Sequence, residues 1–166
     1  NFDPKLIKTE LNILKKVGAK IKLFKNSIHI KGPKKIKSIR NITTKEYPGF
    51  PTDLAPQFMV LLCKANGKSS ITENIFQGRF LHAMELSRLG AKINIKNRTA
   101  KIEGNTNFIA AEVMSSDLRA SAALVLAGIV SKGKTIVTRI YHCDRGYENF
   151  ENKLKKIGVK IKRLKK

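Results

Sequence analysis

An internal repeat constrains the fold of this chain more than any other feature of its sequence. The pattern Gly-Ala/Val-Lys-Ile occurs at residues 18–21, 90–93 and 158–161, so successive copies start 72 and 68 residues apart. Each copy follows a run with apolar residues spaced by three and four, which predicts helices over 6–17, 80–89 and 150–157. The glycine that ends each run readily takes the left-handed conformation found at helix C-termini.

Alternating apolar and polar residues follow the first two of these glycines and predict two hairpins. The strands are expected over 20–24 and 27–30, and over 92–96 and 99–102, with polar two-residue turns between them. After the third glycine, residues 160–164 predict one further strand.

A second set of segments repeats at a similar interval. Thr52-Asp53-Leu54 opens an apolar stretch that ends at Gly67, and Ser116-Asp117-Leu118 opens another that ends at Gly133. We expect Thr52 and Ser116 to cap two helices, because hydroxyl side chains accept hydrogen bonds from free N–H groups there.

Short strands are predicted after these helices, over 70–72 and 135–137. The unit therefore has the order strand, helix, strand, helix, strand, strand, and several copies would bury their helices in one shared core. A chance match of common helix-stop patterns is the alternative, but two independent sets of segments keep nearly the same spacing.

The charge balance bears on the class of partner. The 34 Lys and Arg exceed the 12 Asp and Glu by 22, which admits a basic nucleic-acid-binding module. No cluster of aromatic residues forms a stacking platform, so a solvated basic surface is the simpler interpretation. No apolar run approaches the roughly 20 residues of a membrane span. We therefore expect a soluble, cytoplasmic protein.

Four segments are dense in residues that a hydrophobic core does not need. They are YPGFPTD at 47–53, ITENIFQGRF at 71–80, SDLRASA at 116–122 and YHCDRGYE at 141–148. Together, and in this order, they resemble the UDP-N-acetylglucosamine enolpyruvyl transferase family, in its C-terminal two-fifths. The resemblance implies an α+β fold, part of an inside-out α/β barrel of repeated βαβαββ units.

The family fold has two domains of three units each, with the active site between them. Residues 1–166 would form most of one domain, about two and a half units, without the partner domain. The implied reaction transfers the enolpyruvyl group of phosphoenolpyruvate to the 3-hydroxyl of UDP-N-acetylglucosamine and releases phosphate. This is the committed step of peptidoglycan synthesis, with consequences for cell shape and division.

The same resemblance implies no cofactor and no metal, and three partners besides the substrates are considered. The N-terminal half of the enzyme is expected, whereas nucleic acid and membrane are not. The chain begins and ends within a unit, and the family's reactive loop cysteine belongs to the other half. We therefore expect the chain alone to be inactive.

The resemblance makes Asp53 the candidate general base, and its place at the end of a proline-rich turn and the start of a helix would hold the carboxylate rigidly. By resemblance it contacts the sugar 3-hydroxyl; an Asp that only favours a helix N-terminus is the alternative. The resemblance also assigns Ile75, through its backbone, and Phe76 to the sugar nucleotide, although core packing remains an alternative for Phe76.

Guanidinium groups bind carboxylate and phosphate through two parallel hydrogen bonds, which suits the phosphoenolpyruvate anion. The resemblance assigns Arg119 and Arg145 to this anion, with Arg79 in the same basic cluster. Asp117 and Asp144 are expected either to orient these arginines or to cap helices.

The other notable side chains have structural interpretations. His29 and His82 are expected on strand or helix surfaces, His142 in a structural role, and Cys63 and Cys143 in the core. Pro56 and Gly78 depart from the family pattern, and Pro56 requires the first turn of its helix.

Two other functions remain open. The shikimate-pathway enolpyruvyl transferase shares the fold and chemistry, although residues 144–148 and 74–79 favour the sugar-nucleotide enzyme. A basic RNA-binding module of related repeat fold would show a steep salt dependence of binding. The N-terminal half could also be supplied by a second chain.

Overall fold

A computed structural model describes residues 3–164. It begins with a 3-10 turn at Pro4–Ile7, followed by α1 (Lys8–Lys16), β1 (Lys20–Leu23) and β2 (Ile28–Lys31). One complete unit follows: β3 (Ile42–Thr43), α2 (Ala55–Cys63), β4 (Lys68–Thr72), α3 (His82–Arg88), β5 (Lys92–Lys96) and β6 (Thr99–Glu103). The next elements are β7 (Glu112–Met114), α4 (Leu118–Ile129), β8 (Ile136–Thr138), α5 (Tyr141–Asp144) and α6 (Phe150–Lys156).

The strands form three small sheets that follow the repeat. In the complete unit the order is β3-β4-β6-β5, with β3 and β4 parallel and the other pairs antiparallel. β1 and β2 form an antiparallel hairpin, and β7 and β8 are parallel. A helix connects each parallel pair, α2 between β3 and β4 and α4 between β7 and β8. The strand–helix order predicted from the repeat is therefore confirmed.

The core lies where α2 and α4 pack against each other. Seven of the nine residues of α2 are buried, as expected of a helix with apolar residues on every side. Met59 and Leu62 of α2 meet the same core as Leu124 of α4, and Ile71 and Ile102 cover it from the sheet of the complete unit. The helices thus lie at the centre and the strands around them.

The predicted helix ends are confirmed at all three copies of the repeat. Gly18, Gly90 and Gly158 have φ values of +106°, +96° and +92°, in the region that favours glycine. The helices before them end at Lys16, Arg88 and Lys156. Pro56 lies in the first turn of α2, where proline is tolerated.

Two predicted helix caps are wrong. Thr52 lies in a 3-10 turn, Thr52–Leu54, and its hydroxyl donates to the Glu73 carboxylate at 2.7 Å instead of accepting from α2. Ser116 precedes the true cap of α4, Asp117, whose Oδ1 accepts from the backbone N–H groups of Arg119 and Ala120. A carboxylate displaces a neighbouring hydroxyl here because its charge also complements the helix dipole.

The strand predicted over 160–164 is wrong as well. These residues form no ladder within the described part of the chain. The corresponding strands β1 and β5 each pair with the strand that directly follows them. A strand needs a neighbouring strand of this kind to complete its backbone hydrogen bonds. β8 begins one residue later than predicted, at Ile136.

Within residues 3–164, every helix is too short or too polar to cross a lipid bilayer.

Candidate functional site

The proline-rich turn before α2 presents Asp53. Phe50 of this turn packs edge-on against Phe58 of α2, with ring centroids 4.9 Å apart, and the Lys45 N–H donates to the Phe50 carbonyl. The turn is therefore fixed to the core through an aromatic contact. Asp53 itself lies in the following 3-10 turn with its carboxylate half exposed.

Arg119 of α4 reaches across to this carboxylate. Its Nε donates to Asp53 Oδ1 at 2.7 Å and its Nη2 donates to Oδ2 at 2.6 Å. The two groups form a bidentate ion pair, the strongest geometry available to a guanidinium and a carboxylate. The hydrogen bonds to Asp53 raise the pKa of Arg119 above its ordinary value, against a smaller opposing effect of burial.

Arg79 completes a cluster of one carboxylate and two guanidinium groups. Its Nη1 lies 3.6 Å from Asp53 Oδ1. Its guanidinium carbon lies 4.4 Å from the centre of the Phe76 ring, a distance at which the ring face attracts a cation. The structure therefore brings together three of the residues singled out in the sequence, Asp53, Arg79 and Arg119, and joins Phe76 to them.

Phe76 is not a core residue, because 49% of its surface is exposed. Together with Arg79 it lines a cleft of about 460 Å³ that also includes Leu81, Met84 and Arg98. Ile75 next to it is half-buried. An exposed aromatic ring beside an arginine at the edge of a cleft is suited to contact a ligand rather than the core.

Glu73 holds the loop at Ile75 and Phe76 through hydrogen bonds, and it was not among the site residues predicted from the sequence. Only 1% of its surface is exposed, yet its carboxylate accepts four hydrogen bonds, from the hydroxyls of Thr44 and Thr52 and from the backbone N–H groups of Ile75 and Phe76. Burial raises the pKa of Glu73, but these hydrogen bonds outweigh it and leave the pKa below its usual value. An acidic residue directly after β4, a strand with buried residues at alternating positions, was the signal that could have indicated it.

Asp117 acts as a cap in this structure. Burial raises the pKa of its carboxyl, but the N–H groups of Ala120 and Arg119, the Ser116 hydroxyl and the nearby His82 outweigh burial and lower it overall. Asp117 makes no hydrogen bond to a guanidinium among the described residues. It orders Arg119 through the helix backbone, and Asp53 is the carboxylate that holds the Arg119 side chain.

Asp144 lies apart from the predicted arginine. Its two oxygens accept from Nη1 and Nη2 of Arg163, at 2.9 and 2.6 Å, and not from Arg145. Arg145 is exposed and forms no ion pair with a described residue. Its segment does reach the same end of the molecule, because the Tyr147 hydroxyl accepts from Gln57 Nε2 in the first turn of α2.

The histidines differ in their surroundings. His29 is exposed, as predicted, but the surface position predicted for His82 is wrong: only 3% of it is exposed. Burial lowers the pKa of His82 to about 4, against a smaller opposing effect of Asp117. His82 is the first residue of α3 and lies near Asp117, the cap of α4. Packing between the two helices therefore buries its side chain. His142 is half-buried, and its ring lies 4.3 Å from that of Tyr141 in a tilted arrangement.

Both cysteines are buried, as predicted. Burial raises the pKa of Cys63 to about 12 and that of Cys143 to about 11. Neither thiol is therefore suited to nucleophilic chemistry near neutral pH. Among residues 3–164, no three His, Cys, Asp or Glu side chains are grouped to hold a metal ion.

Comparison with known proteins gives consistent matches. The model of the family described as EPSP synthase (3-phosphoshikimate 1-carboxyvinyltransferase) matches residues 2–154. A UDP-N-acetylglucosamine 1-carboxyvinyltransferase of Pelagibacter ubique (strain HTCC1062) is 63% identical over 98% of this chain and 39% of its own length. A protein of the same name from Endomicrobium trichonymphae is 51% identical over 96% of this chain and 38% of its own. The chain thus spans about two-fifths of the length of these curated relatives.

Solved structures share the fold at low sequence identity. The enolpyruvyl transferase NikO from Streptomyces tendae superimposes with a TM-score of 0.86 at 24% identity, over 94% of this chain and 36% of that chain. EPSP synthase from Acinetobacter baumannii gives a TM-score of 0.75 at 19% identity, over 97% of this chain and 40% of that chain. The predicted fold, part of an inside-out α/β barrel, is therefore confirmed.

Proposed function

The chain belongs to the EPSP synthase (3-phosphoshikimate 1-carboxyvinyltransferase) family, and from this premise we propose that it forms part of an enzyme that transfers the enolpyruvyl group of phosphoenolpyruvate to UDP-N-acetylglucosamine. The observation that carries the proposal is the cluster of Asp53, Arg79 and Arg119 beside the exposed ring of Phe76. It combines one proton acceptor with two anion-binding groups, which this reaction needs. The relatives at 63% and 51% identity support the sugar nucleotide over shikimate 3-phosphate as acceptor.

In the proposed reaction, Asp53 accepts the proton of the sugar 3-hydroxyl as that oxygen attacks the central carbon of phosphoenolpyruvate. The methylene carbon gains a proton in this addition. Elimination then removes a proton from the same carbon and expels phosphate, which restores the double bond in the product. Pairing with Arg119 engages both oxygens of Asp53, and we expect this pair to open when substrate binds so that the carboxylate turns to the sugar hydroxyl.

Phosphoenolpyruvate itself can open that pair. Its carboxylate and phosphate groups compete with Asp53 for the guanidinium groups of Arg119 and Arg79, and both bind a guanidinium through parallel hydrogen bonds. Arg145 would be a third anion-binding group, approaching from the segment that contacts the first turn of α2. Substrate binding would thus turn an internal ion pair into an exposed base and an occupied anion site.

Ile75 and Phe76 would contact the sugar nucleotide. The N–H of Ile75 already donates to Glu73 at 2.7 Å, so its backbone contact to a substrate would use the carbonyl oxygen. The Phe76 ring is exposed for stacking or apolar contact. The N-terminal part of the enzyme, which carries the reactive cysteine by family resemblance, would close over this surface. The complete enzyme would act in the cytoplasm and contribute to peptidoglycan synthesis.

A fusion tests the proposal. The N-terminal region of the Pelagibacter ubique relative that precedes the matched residues is joined to this chain, and phosphate release is measured with phosphoenolpyruvate and UDP-N-acetylglucosamine. We expect turnover by the fusion and none by the chain alone. A fusion that is folded by circular dichroism and releases no phosphate would contradict the proposal. Turnover with shikimate 3-phosphate in place of the sugar nucleotide would point to the shikimate-pathway activity instead.

Titration calorimetry gives a second measurement that does not need turnover. UDP-N-acetylglucosamine is titrated into the chain alone and into the chain with the separate N-terminal region. We expect binding heat only when both parts are present, because the proposed substrate cleft lies between them.

A further inference from the structure

The carboxylate of Glu73 joins three separate segments of the chain. Thr44 follows β3, Thr52 precedes Asp53 by one residue, and Ile75 and Phe76 form the loop at the cleft. Glu73 Oε1 accepts from the Thr44 hydroxyl at 2.8 Å, the Ile75 N–H at 2.7 Å and the Phe76 N–H at 3.1 Å. Glu73 Oε2 accepts from the Thr52 hydroxyl at 2.7 Å.

The two oxygens therefore divide their contacts between two parts of the candidate site. Oε1 holds the 75–76 loop, which would contact the sugar nucleotide, and Oε2 holds the turn that carries Asp53. A buried carboxylate is costly unless hydrogen bonds satisfy it, and here four donors do so. A core that needed only filling would use an apolar side chain at this position.

We propose that Glu73 is a positioning residue that fixes the 75–76 loop and the Asp53 turn relative to each other. The proposal rests on the proposed function, because the two segments belong to one site only if that site binds the sugar nucleotide. Glu73 touches no reacting atom. It acts through the backbone of Ile75 and Phe76 and through the hydroxyl of Thr52.

The hydrogen bonds distinguish three substitutions. Glu73→Gln can keep an oxygen at the Oε1 position and so retain three acceptor contacts, while its amide N–H₂ turns the Thr52 hydroxyl from donor to acceptor. Glu73→Ala removes every contact. Thr52→Val removes only the contact to Oε2, at nearly the same volume, and leaves the loop contacts in place.

Hydrogen exchange of the chain itself measures the positioning directly. We expect the Ile75 and Phe76 amides to be protected in the wild-type chain, about as well protected in Glu73→Gln and Thr52→Val, and at least about tenfold faster to exchange in Glu73→Ala. Equal exchange of both amides in wild type and Glu73→Ala would overturn the proposal. If Glu73→Ala does not fold, fast exchange of both amides in the folded Glu73→Gln chain would overturn it as well.

Kinetics of the fusion enzyme separate positioning from stability. Because displacement of a reacting group by about 1 Å can lower a rate about 100-fold, we expect Glu73→Ala to raise KM for UDP-N-acetylglucosamine and to lower kcat, each by at least about tenfold. Thr52→Val should lower kcat and leave that KM within about twofold. Glu73→Gln should recover most of kcat and of KM for UDP-N-acetylglucosamine. If the charge of Glu73 were required, this neutral variant would not recover them.

Leu89→Ala is the matched control. Leu89 is fully buried after α3 and takes part in none of the four hydrogen bonds of Glu73, so we expect its truncation to lower stability and to leave those bonds in place. We expect a lower melting temperature with unchanged KM. A KM for UDP-N-acetylglucosamine that stays at the wild-type value in Glu73→Ala would overturn the proposal. A wild-type fusion without turnover, together with the expected exchange pattern, would refute the proposed function and leave the positioning by Glu73 intact.

Discussion

The Asp53 carboxylate and the Arg119 guanidinium, 66 residues apart in the chain, form a bidentate ion pair with N–O distances of 2.7 and 2.6 Å. The ion pair engages both oxygens of Asp53, the proposed base, and two N–H groups of Arg119, a proposed anion-binding residue. In the proposed reaction, phosphoenolpyruvate would compete with Asp53 for Arg119, and the sugar hydroxyl would compete with Arg119 for Asp53. We therefore expect binding of the two proposed substrates to be interdependent.

Asp53→Asn tests the proposed base. An amide cannot accept the hydroxyl proton, so we expect kcat of the fusion enzyme to fall by about 10²- to 10⁴-fold. Folding should be retained, because the carboxylate is half exposed and its ion pair contributes little to stability. Asp3→Asn is the control, since Asp3 only caps the 3-10 turn at Pro4–Ile7. Turnover of Asp53→Asn within about threefold of wild type would show that another group takes the proton.

His82 gives the protein a specific pH dependence of stability. Its pKa is about 4 in the folded chain and near 6.5 when unfolded, so between these values the unfolded state binds a proton that the folded state does not. Stability therefore rises with pH across this window, by up to about 3 kcal/mol. Urea unfolding at pH 4, 5, 6 and 7 should show the loss towards acid.

His82→Leu should flatten this dependence between pH 6.5 and 4, whereas His29→Gln, at an exposed position, should leave it unchanged. Glu73 and Asp117 act in a lower window. Their folded pKa values are depressed, so their contribution is complete above the unfolded values and is lost as pH falls through the folded ones. A wild-type chain with constant stability from pH 6.5 to 4 would show that His82 is accessible to solvent.

The sequence was sufficient for the repeat because helix ends and strand pairs are specified locally. Gly18 and Gly90 follow amphipathic runs, and short polar turns after β1 and β5 join each strand to its antiparallel partner. Those signals need only neighbouring residues. The family motifs added Asp53, Arg79 and Arg119, three residues that the structure brings within ion-pair distance.

Several features that the sequence did not predict depend on contacts between distant segments. Thr52 resembles a cap in sequence, but Glu73, 21 residues later, accepts its hydroxyl. His82 is a polar residue between Leu81 and Ala83, and it is buried because α3 packs near the cap of α4. Asp144 stands next to Arg145 but pairs with Arg163, 19 residues away. Adjacency in sequence was a poor guide to which charges meet.

The two cysteines should be unreactive in the folded chain. With pKa values of about 12 and about 11, Cys63 and Cys143 hold only about 10⁻⁴ and 10⁻³ of their thiols as thiolate at pH 8. We expect a chromogenic disulfide reagent to react at least about 100-fold more slowly than with free cysteine, and two thiols to react at once in urea. Cys63→Ala and Cys143→Ala assign the residual rates. Rapid native labelling that disappears in either variant would identify an accessible thiol.

Gly104 marks the closest approach of two backbone segments. A Cβ at this position would overlap the carbonyl oxygens of Ala65 and Gly67, in the connection from α2 to β4. The same approach places the Gly104 N–H 3.1 Å from the Gly67 carbonyl and the Asn105 N–H 2.8 Å from that of Ala65. Backbone atoms cannot rotate away as a side chain can, so an added methyl group must separate the segments and weaken both hydrogen bonds.

We therefore expect Gly104→Ala to lower the free energy of unfolding by about 1–3 kcal/mol, the range of overpacked sites. Gly32→Ala is the matched control, because a Cβ at Gly32 meets no atom within 4 Å, and it should stay within about 0.5 kcal/mol of wild type. Urea denaturation measures both, with an unchanged slope indicating that stability alone has changed. Equal midpoints for the two variants would mean that the connection between α2 and β4 can move away from Gly104 without a loss of stability.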